Sequence, residues 1–276
     1  MAENELRPPL LGVAWDGTGY GLDNTVWGGE FFVVAENSCE RIAYLRQFRL
    51  PGGDRAVMEP RRTALGLLYE IFGDAAFAMR ELAPVAAFSH GELASLSTML
   101  ARQLNSPLTS SAGRLFDAVA ALAGLRQQVH FEGQAAMELE FAIESLEVQE
   151  FYPFRAVKPE PSKGRLAPPL ILDWSRVIQG ILGDLAGKVP LGQISAKFHN
   201  SLAEAIVAVA RHAGLERVAL SGGCFQNRYL TERAVGRLRA EGFLPYWHQR
   251  VPPNDGGIAL GQVVAALRHE RLQASP

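Results

Sequence analysis

Cysteine is scarce: Cys39 and Cys224 are the two in a chain of 276 residues. That excludes a disulfide-stapled framework and a cysteine metal site, and it fits a reducing, cytoplasmic setting. No apolar run approaches the roughly 20 residues that cross a bilayer. The start, Met1 to Pro9, is acidic and polar rather than a signal peptide. Neither sign of charge dominates, since 27 Lys and Arg stand against 29 Asp and Glu. With no broad cationic field, neither bulk nucleic acid nor a membrane is an expected partner. The six histidines are scattered, and none are paired at the i, i+4 spacing that sets two metal ligands on one helical face. No tandem repeat or low-complexity tract is present. What remains is 48% apolar and 20% charged, an ordinary globular composition for one large domain or two small ones.

The order of elements is legible in the periodicity. Short runs rich in Val, Phe, Ile and Tyr at Leu10–Ala14, Trp27–Val34 and Arg41–Phe48 predict an antiparallel meander. From Glu59 the period becomes helical, with Ala64, Leu67, Leu68 and Ile71 on one face. Further apolar stripes run along Leu93, Leu96, Leu100 and Leu104, along Arg114–Leu125 behind a Ser111 cap, and along Ala135–Ile143. Prolines 153, 159, 161, 168 and 169 then mark a linker, an edge segment or a subdomain crossing. Beyond them strand and helix alternate: helices at Trp174–Leu185, Gln193–Ala213, Asn227–Ala240 and Ile258–Leu272, strands at Arg217–Leu220 and Phe243–Trp247. This is α/β layering. The expected division is 1–165, carrying the meander and helical block, and 166–276.

Four segments carry candidate chemistry, each with a plain alternative. Val218–Arg228 reads strand, Ser-Gly-Gly, helix start, an arrangement that lets an anion or nucleotide approach the main chain; a tight turn without ligand uses the same residues. Cys224 has no His or Lys beside it in sequence, so packing is favoured over nucleophilic chemistry. In Val251–Gly261, Asp255 at a helix start either caps the helix or ligates a hard cation, and capping is the simpler role. Asp16-Gly-Thr-Gly-Tyr-Gly21 suits a phosphate-contacting hairpin turn or a hairpin turn alone. Asp117, inside an otherwise apolar helix, either holds a ribose hydroxyl or faces solvent.

Taken in order, Gly12–Gly21 with Trp27–Phe31, Ser111–Asp117, Phe131–Ala136, Leu220–Arg228 and Val251–Gly257 resemble the Kae1-like carbamoyltransferase domain of HypF-type hydrogenase maturation proteins. The resemblance runs from about Leu10 to Leu267. It implies an actin-like ATPase (ASKHA, Kae1-like) α/β fold lacking its first strands. The two stretches divided near residue 165 would then be a partial first actin-like subdomain and a second one. It also implies transfer of a carbamoyl group from carbamoyl-adenylate, made with ATP in a YrdC-like domain, to the C-terminal cysteine of a HypE-type partner. Carried over by motif, Asp117 would hold the ribose, with Glu138 as a second ribose candidate and Gly133 at the sugar edge. Gly222, Gly223 and Asn227 would hold the adenine and phosphate side; Gly17, Thr18 and Gly19 would face the phosphates or carbamoyl group. Asp255 would be the acidic ligand of a catalytic divalent metal: iron, zinc or magnesium.

One departure stands against these matches. The family carries an HxxxH-type motif upstream of the Gly-Val-Ala-Trp-Asp segment, and this sequence starts after where that motif would lie. The expectation is therefore a C-terminal portion, with a separate upstream HypF-type polypeptide as a candidate partner. The alternative to a transferase is a nucleotide-binding or HypE-docking module without turnover. An unrelated actin-like kinase is disfavoured, because Pro252–Gly257 has no evident role there. The adenylate reading requires that the amides of three glycine corners, backed by Asp117 and Asp255, converge on one cleft.

Overall fold

In the computed structural model, residues 1–144, 147–160 and 168–273 are described. Strands β1 (Leu10–Tyr20), β2 (Val26–Val34) and β3 (Cys39–Leu45) form the antiparallel meander. Two-residue strands β4 (Phe48–Arg49) and β5 (Leu108–Thr109) pair with each other, and β5 joins the end of β2. β6 (Arg155–Val157), β7 (Leu170–Asp173), β8 (Arg217–Ser221) and β9 (Leu244–Tyr246) complete the sheet, whose order is β6-β7-β3-β2-β1-β8-β9. β8 lies parallel to β1 and to β9, and β7 lies parallel to β3. Strands from both sides of residue 165 thus belong to one sheet, while residues 161–167, where the expected division falls, lie outside the described residues. The proline-rich stretch contributes an edge strand, since among the described residues β6 pairs only with β7.

The main helices are, in chain order, α1 (Pro60–Phe72), α2 (His90–Ala101), α3 (Ala112–Leu122), α4 (Gln134–Phe141), α5 (Ser175–Ala186), α6 (Leu191–Ala213), α7 (Arg228–Ala240) and α8 (Ile258–Gln273). Leu104, expected on the α2 stripe, lies beyond the helix end and is exposed. α3 and α6 form the centre. All of α3 except Gly113 is buried, and its Phe116 meets Phe198 of α6 edge-on with ring centroids 5.1 Å apart. In β1, Leu11, Val13 and Trp15 point into the core; Trp15 lies edge-on to Phe31 and stacks on Phe225. This alternation follows from the two-residue period of a strand, and it leaves Asp16 and Thr18 at a cleft. No helix among the described residues is long and apolar enough to cross a membrane.

The Asp16–Gly21 segment corrects the sequence expectation. It is not the hairpin turn: β1 runs on to Tyr20, and the turn closes where the Gly21 amide donates to the Thr25 carbonyl at 3.0 Å. Trp15 pairs with Gly29 and Gly19 with Trp27, so Asp16, Gly17 and Thr18 stand opposite Gly28 alone. A bulge of this kind takes the same small residues as a turn, and it pushes its extra residues out of the ladder.

Candidate functional site

The bulge is held by the start of α3. The Ser111 hydroxyl reaches the carbonyls of Asp16 at 2.6 Å and Gly17 at 2.8 Å, and its oxygen accepts the Arg114 amide at 3.1 Å as the helix cap. Across the bulge, β8 ends in Ser221-Gly222-Gly223. Gly222 has φ +104°, and a Cβ there would come 2.1 Å from the Trp15 carbonyl oxygen, so only glycine lets the corner sit against β1. A Cβ on Gly223 would come 2.8 Å from Asp16 Oδ1, so the bare main chain leaves room for that carboxylate.

Between α3, α4, the bulge and the start of α7 opens a cleft of about 1060 Å³. Gly17, Thr18, Asp117, Gly133, Gly223, Asn227 and Asp255 all line it. A second hollow of about 450 Å³ shares Asp16, Thr18 and Asp255 with the first and takes Gly19 and Gly222. Glu138 lines neither: Arg126 Nε engages both of its oxygens at 2.8 and 2.7 Å, and Gln134 donates to one. The structure therefore does not bring that ribose candidate to the cleft.

Asp117 does not face solvent. It is 3% exposed, and its Oδ2 has no hydrogen-bond partner although Arg114 Nη1 lies 3.0 Å away. The pair is close enough to attract, but the N–H does not point at the oxygen. Burial pushes the Asp117 carboxyl up to about 6, against the pull of Arg114 and with a small push from Glu132. Arg114 Nη2 donates to Glu132 Oε1 at 3.2 Å, and a Cβ on Gly17 would come 2.6 Å from that same oxygen. On the other wall Asn227 caps α7, its Oδ1 accepting the Leu230 amide at 2.8 Å.

The glycine amides are less available than the sequence suggests. Gly17 N–H is spent on Asp16 Oδ1 at 2.8 Å, and Gly222 N–H on the Pro253 carbonyl at 2.9 Å. Capping at Asp255 is corrected as well. Asn254 accepts the Gly256 amide at 3.2 Å and does the capping, so Asp255 is exposed at the border of both hollows. His248 steadies that loop, joining Ser221 Oγ at 3.0 Å to Glu3 Oε2 at 3.1 Å. Cys224 is half-buried with Asp16 nearby; loss of solvent and that carboxylate both push its thiol up, which leaves it a thiol rather than a nucleophilic thiolate.

A metal is a poorer fit than a nucleotide. Among the described residues no three His, Cys, Asp or Glu gather into a metal-holding group; the two hollows share the carboxylates of Asp16 and Asp255 and no complete set. A nucleotide fits the volume of the cleft and the buried oxygen of Asp117 that accepts no hydrogen bond. Asp16 and Arg114 were not among the sequence candidates. Asp16 stood inside the glycine-rich motif and could have been singled out, whereas nothing local marks Arg114.

Comparison with known proteins identifies relatives that match nearly the whole chain. A family model described as carbamoyltransferase, Kae1-like domain, second subdomain, matches residues 12–262. The carbamoyltransferase HypF of Synechocystis sp. is 41% identical over 97% of this chain and 35% of its own length. A carbamoyltransferase HypF homolog of Cupriavidus necator is 37% identical over 100% of this chain and 70% of its own length. The crystal structure of a full-length HypF in a phosphate- and nucleotide-bound form superposes with a TM-score of 0.85 at 39% identity, covering 96% of this chain and 40% of that one. The chain thus spans 35% of the length of the Synechocystis relative.

Proposed function

The chain belongs to the family of Kae1-like carbamoyltransferase domains, and from that premise we propose that it binds carbamoyl-adenylate and passes the carbamoyl group to the C-terminal cysteine of a HypE-type partner in hydrogenase maturation. One observation carries the reading: the cleft of about 1060 Å³ is lined by Asp117, whose buried Oδ2 pairs with Arg114 Nη1 at 3.0 Å but accepts no hydrogen bond among the described residues. Such an atom is costly unless a ligand hydroxyl or amine donates to it. A ribose hydroxyl supplies that donor. The Thr18 hydroxyl and the Gly223 main chain face the phosphate and carbamoyl end, beside Asp16 and Asp255.

The reaction asks little covalent chemistry of these residues. The partner's thiolate sulfur bonds to the carbamoyl carbon, the bond from that carbon to the phosphate oxygen breaks, and AMP leaves with the electron pair. The chain's work is to hold the adenylate so that sulfur and carbon meet at about 3–3.5 Å. The divalent metal, bound through Asp255, would stabilise developing charge; with an incomplete ligand set among the described residues, no step is assigned to it. ATP upstream of the adenylate, a further HypF-type polypeptide and a cytoplasmic site of action belong to the same proposal. The incomplete ligand set also favours a second reading, a nucleotide-binding or HypE-docking module without turnover.

Calorimetric titration with ADP tests the binding that both readings share. Wild type should bind, and Asp117→Ala should lose at least about tenfold in affinity, the value of one hydrogen bond to a charged group; equal affinities would remove the nucleotide assignment. Transfer of labelled carbamoyl from added carbamoyl-adenylate to a HypE-type thiol then separates transferase from module.

A further inference from the structure

His199 is a histidine that neither the motifs nor the comparisons single out, yet one of its atoms reaches Asn227, a residue of the cleft wall. It lies on α6, fully buried, ringed edge-on by Phe116, Phe198 and Tyr229 with centroids 5.2, 5.8 and 5.5 Å away. Its Nδ1 lies 2.8 Å from the Ser195 carbonyl oxygen. A carbonyl only accepts, so Nδ1 carries the proton. Nε2 is then an acceptor, and the atom it faces, 2.9 Å away, is Asn227 Nδ2. At the other end of that amide, Oδ1 accepts the Leu230 amide.

We propose that His199 is a positioning residue for the nucleotide cleft: it fixes the Asn227 amide in one orientation, so that Asn227 presents the ligand with an N–H donor and not with a carbonyl acceptor. The inference rests on the nucleotide reading above and specifies it. Asn227 Oδ1 is consumed by the helix cap and one Nδ2 hydrogen by His199; the second Nδ2 hydrogen is the polar group left for the cleft that Asn227 lines. The cleft is therefore polarised. Asp117 on one wall takes a donor, such as a ribose hydroxyl, and Asn227 on the other takes an acceptor, such as a ring nitrogen or a phosphate oxygen. A ligand offering an amine at the Asn227 position is rejected, because two donors would meet.

Burial pushes the imidazole pKa down to about 4, so Nε2 stays an acceptor near neutral pH. The nearest ionisable neighbour in the ring of contacts is the Tyr229 phenol, whose pKa burial raises.

Two measurements on the full chain test this. Nitrogen-15 spectra of the wild-type histidines should show His199 as the Nδ1–H tautomer; an Nε2–H tautomer overturns the proposal without any mutation. Calorimetry with ADP as probe should show His199→Met, which removes the acceptor at similar volume, weakening binding about tenfold. His199→Gln, whose carbonyl can replace Nε2 as acceptor, should restore most of it. If Gln loses as much as Met, or Met loses nothing, His199 only fills space and the proposal fails. Absence of ADP binding by wild type would instead defeat the nucleotide reading itself.

Discussion

The two walls of the cleft are built on opposite terms. On the α6–α7 wall the groups that shape the cleft are held in place: Asn227 is cap and donor at once, with one N–H to spare, and His199 is bonded through both ring nitrogens. On the α3 wall, Asp117 Oδ2, Arg114 Nη1 and Arg114 Nε are buried without hydrogen bonds. A satisfied wall serves the fold and is shaped before any ligand arrives. An unsatisfied wall costs stability, on the order of 1–3 kcal/mol for each buried group left unpaired, and a ligand that completes it recovers that cost as affinity. The same cleft thus sets a preformed wall, with one Asn227 N–H left for a ligand, against a wall that a ligand must complete.

The largest effect expected from this contrast is in the pH dependence of stability. Asp117 in the fold holds its proton up to about 6, above its ordinary 3.8, because it is buried. Its contribution is therefore favourable at low pH and is lost as pH rises through roughly 4 to 6. His199, buried, falls to about 4 from 6.5, so the unfolded chain takes that proton first and stability is lost as pH falls from 6.5 to 4. The two slopes oppose each other, each worth up to about 3 kcal/mol at 1.36 kcal/mol per unit. Wild type should show a shallow profile between pH 4 and 6.5 in urea unfolding. Asp117→Asn should lose stability on acidification, and His199→Met should gain it. Parallel profiles in all three would mean that neither group is buried as described.

Next in size is an exchange between binding and stability. Asp117→Asn should weaken ADP by about 10- to 100-fold, the range for a hydrogen bond to a charged group. Asn227→Ala should instead cost about 1 kcal/mol or more of stability, because it removes the α7 cap and strands His199 Nε2. Thermal unfolding beside calorimetry reads both. The contrast between the walls breaks if Asn227→Ala leaves the unfolding midpoint unchanged.

Much of this was legible in the sequence, and the failures share a cause. The meander, the Ser111 and Asn227 ends of their helices, and the late strand–helix alternation follow from local period and cap chemistry, and the structure has them within a few residues except at β1, which runs past Ala14 to Tyr20. The Asp16–Gly21 stretch was misread because glycine and threonine suit a bulge as well as a turn; which one forms depends on the register against Gly28 and Gly29 in β2. The capping of the last turn went to Asn254, one residue before the expected Asp255. The partners that decide the site are distant in sequence: Glu132 lies 18 residues from Arg114, and His199 lies 28 from Asn227. No periodicity reports such pairs. Asp117 was open between ribose ligand and solvent-facing carboxylate until its burial removed the second alternative.

The smallest effect belongs to Glu138, and its smallness is informative. It sits on α4, whose other faces line the cleft through Ala136, Met137 and Glu140. The difference is one of helical phase: the Glu138 side chain lies back over Arg126, and the pair holds its carboxyl below the ordinary glutamate range, with that hydrogen bond as the main cause. A half-exposed pair of this kind contributes roughly 0–1 kcal/mol to stability. Glu138→Gln should accordingly shift the unfolding midpoint slightly and leave the ADP affinity at its wild-type value. If affinity instead fell as far as in Asp117→Asn, α4 would have to turn to bring residue 138 into the cleft. The unsatisfied wall would then extend beyond α3, and the division of labour between the two walls would need to be redrawn.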